Sequence, residues 1–563
     1  MLELNNNTNY KSPLGDLGGS DTSFPDAGNW NGFADNASIG GEWADIGRLR
    51  DIAGEFCPEE VRQIASQVIP DDINLESVFA SFSQLQNPPG ISSGGLILPD
   101  FAAGLPFTNE LGGLFFPDIE KPTQKQDLST AAQNQFADNS YSDYSFLRDQ
   151  EFSYANRDVF DVQAIRKDFP ILHQKVNGKD LIWFDNAATT QKPAHVINTL
   201  TRFYQHDNSN IHRAAHTLAA RSTDAYEDAR GKVKSFINAS STDEIIFVRG
   251  TTEGINLVTQ TYGRKFIQEG DEIIVSTLDH HANIVPWQQL AKEKKAKLLV
   301  IPINDNGEII LEEYERLLSP RTKIVSFGQV NNTFGTILPV KTMIDMAKRY
   351  GARVLIDGAQ SVAHTPVDVQ ALGCDFFVFS GHKIYAPNGI GVVYGKKEVL
   401  DILPPWQGGG NMIQDVTFEE TIFNGPPARF EAGTPNVGDA VGLGAALDYV
   451  SHIGLNNISK YEHFLTEYAR ENLAKINGLR LIGNPRERVS VVSFVLKDIP
   501  TPEVGRLLDK EAGIALRAGH HCAQPALRRL GVEATVRPSF SFYNTTDEID
   551  KLISAVRRIQ ANS

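Results

Sequence analysis

Phe376-Phe377-Val378-Phe379-Ser380-Gly381-His382-Lys383 carries the reading of this chain. Its four large apolar residues show no alternation, so a strand here is buried on both faces. The run breaks at Ser380-Gly381 and reaches a lysine two residues later. An amine at the mouth of a buried strand is costly unless its proton is given up or shared. An amine so placed is equipped for nucleophilic chemistry at a carbonyl.

The same texture extends outward. Glu244–Val248, Glu272–Ser276, Lys297–Ile301, Lys323–Phe327 and Arg353–Asp357 read as further buried strands, and helical patterns separate most of them. That alternation predicts an α/β fold with a mainly parallel sheet covered on both faces. Ligands of such sheets bind beyond the carboxyl ends of the strands. After Val248 comes Arg249-Gly250-Thr251-Thr252-Glu253-Gly254, opening a helix. Backbone N–H groups and hydroxyls there suit a phosphate, although Thr is also an ordinary N-cap. After Ser276 comes Asp279-His280-His281-Ala282-Asn283. The His pair suits metal ligation, ring stacking or acid–base work, and no third metal ligand stands out. After Ile356 comes Asp357-Gly358-Ala359-Gln360. An aspartate at a strand end is placed to keep a pyridine nitrogen protonated and so make the ring an electron sink. Lysine, aspartate and phosphate cradle together are the parts of a pyridoxal-phosphate site.

The charge is divided unevenly. The chain has 563 residues and a formal net charge of −16. The first 155 residues hold 23 acidic and 7 basic side chains, and the other 408 hold 46 of each. All the net charge therefore lies on the N-terminal quarter, which argues for two regions with different jobs. An acidic chain without a basic block argues against nucleic-acid binding. Cys57, Cys374 and Cys522 make neither a disulfide scaffold nor a zinc spacing, and suit a reducing compartment. The N-terminus shows no basic and apolar leader pattern, and no apolar run reaches the ~18 residues of a membrane span.

Residues 1–155 are rich in Gly, Asn, Ser, Asp and Pro. Such a composition buries too little apolar surface to offset chain ordering, so a largely disordered extension is expected, with short helices over 58–68 and 74–84. Within it, Gly94-Gly95-Leu96-Ile97-Leu98-Pro99-Asp100-Phe101 recurs 18 positions on as Gly112-Gly113-Leu114-Phe115-Phe116-Pro117-Asp118-Ile119. Apolar clusters in a polar tail read as docking motifs, and two copies on one chain add avidity. Folding back onto the catalytic body is the alternative.

From about residue 160 onward the chain resembles the SUF-type (group II) cysteine desulfurases of the class V aminotransferase-like, fold-type I family. The resemblance rests on Ile211-His212-Arg213, Arg249–Asn256, His280–Trp287, Ser380–Lys383, Phe430-Glu431-Ala432-Gly433-Thr434-Pro435-Asn436 and Arg517-Ala518-Gly519-His520-His521-Cys522, in that order. It implies a large domain over 156–440 with a mainly parallel seven-stranded sheet, and a small α+β domain over 441–563. It also implies pyridoxal 5′-phosphate as cofactor and no metal. Lys383 becomes the Schiff-base lysine. Asp357 pairs with the ring nitrogen, Gln360 with the phenolic oxygen, and His280 stacks on the ring. Thr252, Ser380 and His382 hold the phosphate, with Thr434 reaching in from a second subunit of a homodimer. Asn332 and Arg537 hold the substrate carboxylate, while His212 and Arg517 line the mouth. Cys522 becomes the nucleophile, its pKa lowered by His520, His521 and Arg517. Trp406–Gly410 lacks the lysine of a P-loop, and the resemblance makes it a dimer-face loop followed by a hairpin.

The reaction so implied converts L-cysteine to L-alanine and leaves a persulfide on Cys522, with transfer to a separate acceptor protein. Selenocysteine lyase and cysteine sulfinate desulfinase are the alternatives. The extension resembles the tails of family 2 encapsulin cargo desulfurases, which implies a cytoplasmic enzyme held inside an encapsulin shell through residues 1–155.

Overall fold

The computed structural model describes residues 160–211 and 216–562. The acidic extension, its two helices, its repeated motif and Cys57 lie outside the described residues, as does His212.

Seven strands form the central sheet. They are β1 (Ile245–Val248), β2 (Glu272–Ser276), β3 (Lys297–Ile301), β4 (Thr322–Gly328), β5 (Arg353–Asp357), β6 (Phe376–Ser380) and β7 (Gly391–Gly395). Their order across the sheet is β1-β7-β6-β5-β4-β2-β3. Every pair is parallel except those of β7, which runs antiparallel to both β1 and β6. All residues of β1, β2, β6 and β7 are buried, as unbroken apolar runs require when helices cover both faces. One face packs Phe247, Val325, Ile356, Phe377 and Phe379 into the larger core. The other packs Ile246, Ile273, Leu355, Phe376 and Val378 into a second core.

The alternation of β6 shows how one strand serves both. Phe377 and Phe379 point one way, Phe376 and Val378 the other, the period-2 geometry of a strand. Two glycines permit the close approaches at the carboxyl edge. A Cβ on Gly391 at the start of β7 would lie 2.5 Å from the Gly250 Cα, and a Cβ on Gly358 would lie 2.1 Å from the Phe377 ring.

Helices α1 (Ala194–His206) and α2 (Thr217–Phe236) come before the sheet, and α3 (Thr251–Val258) follows β1 directly. A hairpin, β8 (Ile413–Val416) and β9 (Thr421–Phe423), follows the Trp406–Gly410 loop and holds Phe418, Ile422 and Phe423 exposed. Helix α4 (Val437–Ile453) packs on α1 and α2, and its buried residues belong to the larger sheet core. The boundary expected at 440/441 thus falls inside a helix of the large domain.

A smaller core starts with α5 (Leu455–Leu473). It includes α6 (Thr501–Ala512), α7 (Thr546–Ala561) and a four-stranded antiparallel sheet. The strands are β10 (Leu479–Leu481), β11 (Phe494–Leu496), β12 (Arg517–Gly519) and β13 (Thr535–Arg537), in the order β10-β11-β13-β12. Ile182 and Phe184 from the start of the described chain complete this core, and Ile182-Trp183 pairs in parallel with Ile514-Ala515.

Candidate active site

The segments after β1, β2, β4, β5 and β6 all emerge at one edge of the sheet, and β12, β13 and the turn after β12 approach it from the small domain. A cavity of about 250 Å³ lies there. Its walls bring together Thr252, His280, Asn332, Asp357, Gln360 and Ser380, with His382, Lys383, Arg517, Cys522 and Arg537. Thr434 is not part of this wall. It is exposed, and its Oγ1 donates to Asn210 Oδ1 at 3.3 Å. Thr251 and Asp279 also line the cavity, with no role assigned to them from the sequence, as does His521, expected there as a neighbour of Cys522.

Lys383 ends a short turn that follows β6 directly. Burial lowers its amine from the usual 10.5 to about 8, with Arg537 and Arg517 pushing the same way and Asp357 opposing them. Asp357 closes β5. Burial raises its pKa, against the Ala359 N–H that its Oδ1 accepts at 2.9 Å and the nearby Lys383. Burial and Lys383 bring His280 down to about 3, and burial with Lys383 and Lys192 brings His382 down to about 4. Both imidazoles are therefore neutral near pH 7. Gln360 Nε2 donates to the Ala187 carbonyl, and Ser380 Oγ accepts the Thr251 N–H at 2.8 Å. Asp279 ties β2 to β4: its oxygens accept the Ser276 N–H at 2.6 Å and the Gly328 N–H at 2.7 Å.

The other wall holds two arginines bridged by one carboxylate. Asp185 accepts from Arg517 Nη2 at 3.1 Å and from Arg537 Nη2 at 3.2 Å. Arg537 Nη1 donates to the Asn332 carbonyl at 2.8 Å, while its buried Nε has no hydrogen-bond partner. Asn332 Nδ2 donates to the His521 carbonyl at 2.7 Å, leaving its Oδ1 without a partner. Nothing in the local sequence marks Asp185, because its partners lie more than 330 residues away.

Cys522 sits on the turn that follows β12, just before a short helix at Gln524–Arg529. His521 and Cys522 have φ of 51° and 56°. Two successive non-glycine residues in the left-handed region cost of order 1–3 kcal/mol each and persist only where the surroundings hold them. The His521 ring is engaged by Thr535: its Nε2 lies 3.0 Å from the Thr535 carbonyl and 2.8 Å from Thr535 Oγ1. Burial and Arg537 bring it down to about 2. A neutral ring cannot supply the positive charge that the sequence reading assigned to it, and Arg517 is paired with Asp185. Cys374 is buried before β6, and burial pushes its thiol up to about 12, which makes it an inert core residue.

The donor set fits pyridoxal phosphate. Helix α3 starts at Gly250, which offers no side-chain cap, and Thr251, Thr252, Ser380 and His382 surround that end. This is an arrangement for a phosphate. An amine with a lowered pKa, a buried carboxylate and a neutral imidazole line the same cavity.

Residues 182–552 match the aminotransferase class-V family model. The chain belongs to this family. Among class-V aminotransferase relatives, a cysteine desulfurase of Synechococcus elongatus is 61% identical over 72% of this chain and 64% of its own length. The chain thus spans less than two thirds of that relative. A cysteine desulfurase of Pectobacterium atrosepticum is 50% identical over 71% of this chain and 98% of its own. The crystal structure of the Escherichia coli cysteine desulfurase CsdA superposes with a TM-score of 0.66 and 40% identity over 71% and 98% of the two chains. An apo cysteine desulfurase structure from Thermococcus onnurineus gives 0.68 at 36% identity, with the same coverage. These class-V neighbours place the chain in fold-type I. Among the described residues, no helix is long and apolar enough to cross a membrane, and no group of three His, Cys, Asp or Glu is placed to hold a metal.

Proposed function

We propose that this chain is a pyridoxal-phosphate-dependent cysteine desulfurase of the SUF type. The observation that carries the reading is that Cys522 lines the same cavity as Lys383 and Asp357. When bound, the cofactor supplies an electron sink for the carbanion at the substrate Cα.

The chain's own residues do the rest. Arg537, flanked by Asn332, receives the carboxylate of L-cysteine; a guanidinium fork suits that anion. Lys383 Nζ, neutral above about pH 8, takes the Cα proton. Asp357 balances positive charge at the cofactor ring, Gln360 faces its phenolic oxygen, and His280 packs on its face. Thr252, Ser380 and His382 hold the phosphate, joined by Thr434 reaching in from a second subunit of a homodimer, and His212 and Arg517 line the mouth. Cys522 attacks the substrate sulfur as thiolate, since the thiol is a poor nucleophile. The carbon–sulfur bond breaks, its electron pair returns to carbon with a proton, and alanine leaves a persulfide on Cys522 for a separate acceptor protein.

The acidic segment of residues 1–155, with its repeated GG-L-apolar-apolar-P-D pattern, supports a tether that carries a cytoplasmic enzyme into an encapsulin shell. Incubation with L-cysteine and an excess of a dithiol reductant, which reduces the Cys522 persulfide to thiol and sulfide, tests the enzyme reading. Equal yields of alanine and sulfide, from a protein with visible cofactor absorbance, are expected. A colourless protein that releases neither overturns it. Deletion of residues 1–155 tests the tether: turnover stays, and co-purification with a shell is lost.

A further inference from the structure

His281 stands beside the ring-facing His280, yet it is not part of the cavity wall. It touches the nucleophile turn at two points. Its backbone N–H donates to the Cys522 carbonyl at 2.9 Å. Its ring Nε2 accepts the Gln524 N–H at 3.4 Å. The ring also lies against His520, with centroids 6.0 Å apart and planes at 27°. His520 in turn accepts the Cys522 N–H on its Nδ1 at 3.2 Å. Burial and His520 both lower the pKa of His281, which keeps the ring an acceptor.

Those contacts surround a strained segment. Left-handed geometry at His521 and Cys522 is unfavourable for side chains with a Cβ. The small domain alone does not hold it. The large domain supplies Asn332, which donates to the His521 carbonyl, and His281, which engages the residues on either side of Ala523. We propose that His281 is a positioning residue that clasps the Cys522 turn to the cofactor side of the cavity and so aims the thiol at the substrate sulfur. Its side chain acts through Gln524 and His520, and touches neither substrate nor cofactor.

The proposal rests on the desulfurase reading, and the test separates the two. The full-length protein is compared with His281→Ala and His281→Gln. Four quantities are read: the alkylation rate of Cys522 by iodoacetamide, resolved by peptide mass; kcat and KM for L-cysteine; and the visible absorbance. In His281→Ala the freed turn exposes the thiol. Alkylation rises by about tenfold and kcat falls by about tenfold, the scale of one lost hydrogen bond. KM and absorbance stay unchanged. A glutamine oxygen accepts the Gln524 N–H, so His281→Gln restores both rates. Parent-like alkylation and kcat in His281→Ala overturn the clasp. So does a glutamine variant as impaired as the alanine one, or an absorbance change, which would place the effect on the cofactor instead. Absence of turnover in the parent sinks the desulfurase reading, while the alkylation comparison still decides the clasp.

Discussion

The two walls of the cavity are built by different means. The cofactor-suited wall uses regular structure: Asp357 closes β5, Lys383, Thr252 and His280 follow the ends of β6, β1 and β2, and the sheet sets their spacing. The nucleophile wall uses an irregular turn in the left-handed region, held by Asn332, His281 and Thr535 from distant parts of the chain. A strand end fixes a side chain through the whole hydrogen-bonded ladder. A strained turn fixes one through a few contacts, and so can release it. On the desulfurase reading, that difference suits a fixed cofactor on one side and, on the other, a sulfur that must be handed on.

Breaking the first wall should cost most. Lys383→Ala removes both the proton carrier and the covalent anchor; sulfide release should fall by on the order of 10⁴-fold or more, and the visible band should be lost. Cys522→Ser breaks only the second wall: the band stays, and sulfide release falls by on the order of 10²–10⁴-fold. If that variant lost its colour as well, the walls would not be separable. Arg537→Lys replaces a planar fork with a point charge and should raise KM for L-cysteine by about 10- to 100-fold, with the band intact.

A pH profile sharpens the contrast within the first wall. The Lys383 amine bonds a carbonyl only when neutral, and its pKa is about 8 in the folded chain. Uptake of pyridoxal phosphate by cofactor-stripped protein should therefore rise with pH, about tenfold per unit well below 8, and level off above it. A plateau reached only near 10 would mean that burial does not lower this amine.

The same contrast decides what the sequence discloses. Unbroken runs such as Phe376–Phe379 declare buried strands, and residues following them declare the strand-end wall, because both signals are local. The antiparallel placement of β7 is not local, since Gly391-Val392-Val393-Tyr394-Gly395 reads alike in either direction of pairing. Helix α4 is buried on nearly all sides, so it shows no amphipathic stripe to tell which domain it joins. Asp185 bridges Arg517 and Arg537 across most of the described chain, and no spacing rule links the three. The backbone of His521 and Cys522 would be announced by glycine or asparagine, and neither is present.

That turn also sets activity against endurance. A residue with no Cβ adopts φ near 56° without strain, so the chain would be more comfortable without its nucleophile. Cys522→Gly relieves roughly 1–3 kcal/mol of backbone strain and gives back about 0.5–1 kcal/mol through the freer unfolded chain. The cofactor-free Cys522→Gly protein should melt up to roughly 4 °C higher than the parent. Cys522→Ser, which keeps a Cβ on the strained residue, should not. A glycine variant that melts lower than the serine one would mean that the thiol's own packing outweighs the strain.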